Sequence, residues 1–272
     1  MSGIWLRNYA AAELARAIAC LAWRGGRFHT GIHQARKSLR RTRATLALGM
    51  PALGPGAILI DRELRRMNRR LSKLRDTHAL VETLDLLLEK VDDDAASRVL
   101  RRARRIAAHA RAGCARSTLT DDPQLQDKRA LLAALQAALP ALRWDALSEA
   151  DMCATLRLGQ IRADEAGARA QANGRDEDWH RWRRRARRLS QQHRALGDLA
   201  AQLPEAGHRH KALAVLLGEA QDYSLLREHC GKRSAFAESD RQVLRALTDQ
   251  GMKRLRERVA KVIVESAADM PG

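Results

Sequence analysis

The stretch His33-Gln34-Ala35-Arg36-Lys37-Ser38-Leu39-Arg40-Arg41 carries side chains suited to holding an anion. Wound as a helix at about 100° per residue, it sets His33, Arg36, Lys37 and Arg40 on one face, with Arg41 at the edge. Ile32, Ala35, Leu39 and Leu46 fall on the opposite face, so one side is built for burial and the other carries only positive charge and an imidazole. Guanidinium is a planar fork that meets phosphate oxygens in pairs and stays protonated. A neutral imidazole still donates one hydrogen bond, and a bound anion stabilises its charged form. The arrangement recurs 147 residues further on, in His180, Arg183, Arg184, Arg187 and Arg188, with Trp182, Ala186 and Leu189 behind them. One basic helix is ordinarily a solvated face. Two with the same His-led register, about half a chain apart, read as a duplicated anion-binding device.

Other helical stretches repeat the design. Arg62, Arg65, Arg66, Arg69 and Lys73 share one face of a helix expected over 61–74, backed by Leu64, Met67, Leu71 and Leu74. Arg98, Arg101, Arg102, Arg105 and His109 share a face of a helix expected over 95–116. The charges of the last helix, 239–266, spread around its axis and fit ordinary solvation. Further helices are expected over 9–23, 31–48, 78–90, 126–139, 145–172, 176–203 and 209–221. Gly25-Gly26, Pro51 to Pro55, Arg75-Asp76-Thr77, Asp121-Asp122-Pro123 and Gly174 separate them. Asp76 is expected to cap the helix that follows it, and Asp222, in a segment matching Asp76-Thr77-His78-Ala79-Leu80, to do the same. At that offset Arg66, Arg69 and Lys73 become Ala212, Val215 and Glu219, so the fold repeats further than the charge does. The boundary between the halves is placed at 120/121, giving helical units 1–120 and 121–272.

Composition sets the frame for these motifs. The 272 residues are 45% hydrophobic but only 3% aromatic. The apolar set is mostly Ala and Leu with few β-branched residues, which implies an all-α protein. Fifty Lys and Arg against 32 Asp and Glu leave a net charge of +18, which asks for a polyanionic partner. Cys20, Cys114, Cys153 and Cys230 form no C-x-x-C pair and read as reduced thiols. No apolar run reaches about 18 residues, and charges interrupt the N-terminal apolar stretch, so the expectation is a cytoplasmic protein without membrane contact. Asp92-Asp93-Asp94 reads as a negative helix start and not a ligand cluster, and His208 and His210, two apart, splay on a helix, so a metal site there, or one shared between His33 and His180, is the weaker alternative.

His33-x-x-Arg36-Lys37-x-x-Arg40-Arg41-x-Arg43 and Leu71-x-x-Leu74-Arg75-Asp76 resemble the CHAD family, the conserved-histidine α-helical domain. His180-x-x-Arg183-Arg184-x-x-Arg187-Arg188 and Leu217-Gly218-x-x-x-Asp222 look like the second half of the same domain. The resemblance covers nearly the whole chain. It departs from the family pattern at Leu71-Ser72, where Leu-Gly is expected. It implies two pseudo-symmetric antiparallel helical bundles forming one domain; relatives are often fused to a triphosphate-tunnel domain, and this sequence, with no room for one, is expected to be a stand-alone module. It also implies inorganic polyphosphate as ligand, and association with polyphosphate granules. Helical spacing and the resemblance together give as site residues the two His-led faces with Arg62, Arg65, Arg66, Arg69 and Lys73, and no catalytic residue, metal or cofactor is expected. A nucleic-acid binder shares the phosphate electrostatics. Base readout would want amides or aromatics beside the arginines, and Trp179 and Trp182 point away from them. An enzyme of phosphoanhydrides is the third reading. It would want converging carboxylates or a phosphate-cradling glycine loop, and the sequence has neither pattern.

Overall fold

The computed structural model describes residues 2–197 and 207–268. Among them the chain forms eleven α-helices and no strand, as the composition requires. They are α1 (Ser2–Leu21), α2 (Phe28–Leu48), the single turn α3 (Met50–Leu53), α4 (Pro55–Arg70), α5 (Ser72–Leu88), α6 (Asp94–Asp121), α7 (Gln126–Ala138), α8 (Glu149–Asn173), α9 (Asp176–Leu196), α10 (Gly207–His229) and α11 (Glu238–Ala268). Local chemistry sets several ends. The Asp93 carboxylate accepts the Ala96 N–H at 2.6 Å and starts α6, and Ser148 Oγ accepts the Asp151 N–H at 3.1 Å to start α8. Gly174, at φ +63°, closes α8 in the left-handed conformation that a residue with a side chain rarely adopts. Asp176, Glu177 and Asp178 fill the first turn of α9 and complement its dipole.

Two apolar cores hold the helices. The first joins Leu6 and Leu14 of α1, Ile32 and Leu39 of α2, and Leu64 of α4 to Leu132 of α7, Leu156 of α8 and Leu189 of α9. The second joins Leu84 of α5 and Leu100 of α6 to Ala170 of α8, Trp182 of α9, Leu217 of α10 and Leu244 of α11. Helices α8 and α9 contribute to both. Each core therefore draws on both sides of position 120. Helices α1 and α2 form the tightest hairpin. At Gly31 an added methyl would collide with the Cys20 carbonyl of α1. Gly31→Ala is expected to cost about 1–3 kcal/mol, read as a lowered melting temperature, because the hairpin backbones would have to separate.

Several boundaries differ from expectation. Helix α1 begins at Ser2, and Pro51 to Pro55 contains the turn α3 and then Pro55 as the first residue of α4. Helix α6 runs on to Asp121, so 117–120 is helix, and the chain turns at Gln124 and Leu125, both at positive φ. Helix α9 ends at Leu196, and α10 begins at Gly207 and continues past Asp222 to His229. The end expected for the second His-led helix, near 203, lies outside the described residues. The most consequential difference lies between α4 and α5. The break falls at Leu71, where the Ser72 hydroxyl donates to the Arg69 carbonyl at 2.7 Å and loosens the helical ladder, instead of at Arg75-Asp76-Thr77. Asp76 and Asp222 are therefore not helix caps. Each sits inside a helix, where its side chain is free for tertiary contacts.

Candidate anion-binding site

Burying the apolar backs of α2 and α9 packs these helices on each other and turns their cationic faces to a common centre. Arg36 and Arg40 of α2 meet Arg183 and Arg187 of α9, with Arg75 of α5 beside Arg36, Arg40 and Arg183, while Lys37 lies at the edge near Arg40, Arg41 and Arg194. Burial is the largest influence on Arg36, Lys37, Arg40, Arg183 and Arg187, and it works against their charge. It pushes Arg40 well below the usual guanidinium range, with Arg187, Arg36, Arg183 and Arg75 adding like-charge repulsion. Arg187 is pushed down to about 9 by burial and then by Arg183, Arg36, Arg184 and Arg43. Arg36 and Arg183 are lowered in the same way, partly offset by Asp76 and Asp222.

Among the described residues, none of Arg36, Lys37, Arg40, Arg183 and Arg187 forms an ion pair. Arg36 reaches the Asn68 carbonyl, while the Nε atoms of Arg36, Arg40 and Arg183 are buried without a hydrogen-bond partner. Unpaired buried guanidinium is costly, by several kcal/mol for an ion taken fully out of water. Arg75 pairs with Glu82 and Lys37 has Glu13 nearby, but among the described residues the carboxyls that act on the four arginines Arg36, Arg40, Arg183 and Arg187 are those of Asp76 and Asp222. These carboxyls are raised by burial and opposed by Arg36 and Arg75 at Asp76 and by Arg75 and Arg183 at Asp222. An anion bringing several oxygens would pair the open donors and offset the repulsion in one event.

His33 lies in the same arc. Burial, then Arg75, Arg40 and Lys37, lower it to about 4, so its ring is neutral at pH 7. His180 is lowered by burial despite its hydrogen bond to Gln221, and it sits on the exposed side near Arg184. The remaining residues expected at the site are placed differently. Arg41 is buried in an ion pair with Glu13 of α1 at 2.9 Å and belongs to the hairpin core, not to the cationic face. Arg188 lies among Arg43, Asp61, Arg185 and Arg162, near the Arg43–Asp61 pair that ties α2 to α4 at 2.8 Å. Arg62, Arg65, Arg66, Arg69 and Lys73 form an exposed stripe along α4 and the start of α5, with Arg62 and Arg66 on either side of Glu63. The α6 stripe is exposed as well, and Arg102 there pairs with Asp240 of α11 at 3.1 Å. The charges acting most strongly on the four buried arginines come instead from α2, α5, α9 and α10.

Arg75, Asp76 and Asp222 are the members of the site that the sequence reading left out. Their signal lies in the matching segments around Asp76 and Asp222, which local capping rules read as helix starts. The described residues contain no group of three or more His, Cys, Asp or Glu side chains placed to hold a metal ion. No helix among them is long and apolar enough to cross a membrane.

Helices α2 and α9 crossing at a buried, carboxylate-poor arginine cluster define an all-helical domain among the described residues. The chain belongs to the CHAD domain family, whose model matches residues 8–231 and so spans α1 to α10. Two solved structures share the fold. PptA from Streptomyces chartreusis aligns over 96% of this chain and 98% of its own, with a TM-score of 0.68 at 18% identity. The CHAD domain from the plant Ricinus communis aligns over 99% of this chain and 88% of its own, with a TM-score of 0.59 at 16% identity. At these identities the likeness is one of fold. A comparison with curated protein sequences finds no match.

Proposed function

We propose that the protein binds inorganic polyphosphate at the crossing of α2 and α9 and does not cleave it. The observation that carries this reading is the set of buried guanidinium groups of Arg36, Arg40, Arg183 and Arg187 without carboxylate partners. Polyphosphate is a chain of closely spaced anionic oxygens without bases, and a receptor for it needs dense forks on rigid helices and no stacking platform. Trp179 and Trp182 are buried in the second core, where they cannot stack on bases, which favours polyphosphate over nucleic acid. Asp76 and Asp222, each set between arginines, fit charge balance within a binding site. Its place would be the cytoplasm, in association with polyphosphate granules.

The test is competition between long-chain polyphosphate and duplex DNA at matched phosphate concentration and about 0.15 M salt. Polyphosphate is expected to win by more than about tenfold, and both affinities to fall steeply as salt rises. Equal competition by DNA would make the arginine cluster a generic cationic surface. Release of orthophosphate by the pure protein would overturn the non-catalytic part of the reading.

A further inference from the structure

Arg75 occupies the middle of the site, yet nothing inside the site holds it. Its charge acts on His33, Arg36, Arg40 and Arg183, and on both carboxylates. Among the described residues it forms no ion pair or hydrogen bond with Asp76 or Asp222. Its one such contact is to Glu82, two turns along α5, where Arg75 Nη1 donates to Glu82 Oε2 at 2.7 Å. The Arg75 side chain is 17% exposed, while Glu82, at 54%, stands at the rim. Arg75, His78 and Glu82 are spaced i, i+3 and i+7, so they share one face of α5.

Behind Glu82 stands a brace. His78 Nε2 lies 3.4 Å from Glu82 Oε1, and Arg111 Nη1 of α6 lies 3.4 Å from His78 Nδ1. A guanidinium can only donate, so His78 Nδ1 accepts and the ring proton sits on Nε2, facing Glu82. The His29 ring stacks on His78 with centroids 5.2 Å apart and planes 22° from parallel, which fixes the imidazole from the α2 side.

We propose that Glu82, braced by His78, Arg111 and His29, is a positioning residue that holds the Arg75 guanidinium in the anion site. The physical need is plain. In the ligand-free protein Arg75 is crowded by Arg36, Arg40 and Arg183, and repulsion would drive so long a side chain out to water. A carboxylate at the rim fixes one end of it and leaves the remaining N–H groups for a phosphate. This inference rests on the polyphosphate reading for its ligand but not for its geometry.

The two possible roles of Glu82 predict opposite signs. As a bystander, its carboxylate only repels a polyanion, so Glu82→Gln would tighten binding. As a positioning residue, its loss weakens binding. We expect Glu82→Gln to lower polyphosphate affinity roughly threefold to tenfold and to flatten the log–log salt dependence by about 0.7–0.9, the same change expected of Arg75→Gln, because one phosphate contact is lost. In an Arg75→Gln background, Glu82→Gln should add no further loss. In the ligand-free protein, the Arg75 Nε–H resonance should be sharp in the wild type and broadened by rapid exchange in Glu82→Gln. Tighter or unchanged binding on Glu82→Gln would overturn the proposal, and so would an equal loss without Arg75 or an unaltered Arg75 resonance. Failure of the wild type to bind polyphosphate would strike the functional reading alone, because the resonance still decides whether Glu82 holds Arg75.

Discussion

Arg40→Met combined with Arg187→Met is expected to weaken polyphosphate binding by about a hundredfold and to raise the melting temperature of the ligand-free protein. The first effect follows from losing two charge-assisted contacts, each worth about tenfold or more. The second follows from burial. Arg40 and Arg187 are held far enough from water to lower both guanidinium groups, each repels the other, and neither has a carboxylate partner. Replacing buried charge by an apolar side chain of similar length commonly stabilises by about 1–4 kcal/mol. In a chain of this size each kcal/mol moves the melting temperature by about 2–4 °C. Opposite changes in affinity and stability are the signature of a site whose charges serve a ligand and not the fold. Calorimetric melting and titration with long-chain polyphosphate read both. A double variant that melts lower and binds as before would mean that these arginines are structural.

Acidification from pH 7 toward 5 is expected to destabilise the ligand-free protein and to tighten its grip on polyphosphate. His33 titrates near 4 when folded against an ordinary 6.5, because burial and then Arg75, Arg40 and Lys37 disfavour its charge. Between those two values the unfolded chain takes up a proton that the folded chain refuses. Stability is therefore complete above about pH 6.5 and falls as the pH drops toward 4. His29, lowered to about 4 by burial, His78 and Arg111, acts in the same direction. The loss from His33 is about 2 kcal/mol once the solvent still reaching the ring is allowed for. A bound polyanion reverses the balance at His33 and, more weakly, at His180, and it favours protonation of Asp76 and Asp222, whose carboxyls burial already raises. All four groups take up protons on binding, so affinity rises as the pH falls. A long polymer keeps ionisable chain ends scarce, which leaves the protein as the source of the effect. Titrations in buffers of different ionisation enthalpy measure the proton uptake directly, and His33→Gln should remove a large part of it. Affinity that stays flat or falls on acidification would contradict this linkage.

The two His-led helices were legible in the sequence because a period of about 3.6 residues specifies which side chains share a face, and burying Ile32, Leu39, Trp182 and Leu189 fixes where that face points. Residues at the edge of the arc were not legible in the same way. Arg41 and Arg188 hold equivalent positions in the two helices, yet Arg41 is buried against Glu13 while Arg188 remains near the surface. Periodicity places both on the flank, and the neighbouring helix decides the rest. The stripe on α4 marks a limit of the same kind. Amphipathic spacing says that Arg65 and Arg69 oppose the core, and solvent satisfies that condition as well as a ligand does. At Asp76 the capping signal misleads, because an Asp just ahead of a leucine-rich stretch ordinarily marks a helix start. The capping inference failed because Ser72 and Leu71 had already bent the chain four residues earlier. The family motif around Arg75-Asp76 carried the information that local capping rules did not.

The interleaving of the two cores has a consequence for how the molecule comes apart. Leu132, Leu156 and Leu189 complete the core under the first hairpin, while Leu84 and Leu100 complete the core under α10 and α11. A chain cut at the 122–125 turn would leave each fragment with only part of each core, and neither fragment could fully bury its own leucines. The two pieces would have to find each other before either could fold, and the arginine cluster would exist only in the reassembled pair. Helix α9, held by both cores, then cannot loosen at one end without disturbing the other. The arginine cluster is thus tied to a single melting event, and a protease that nicks that turn should yield two fragments that stay together until the whole protein unfolds.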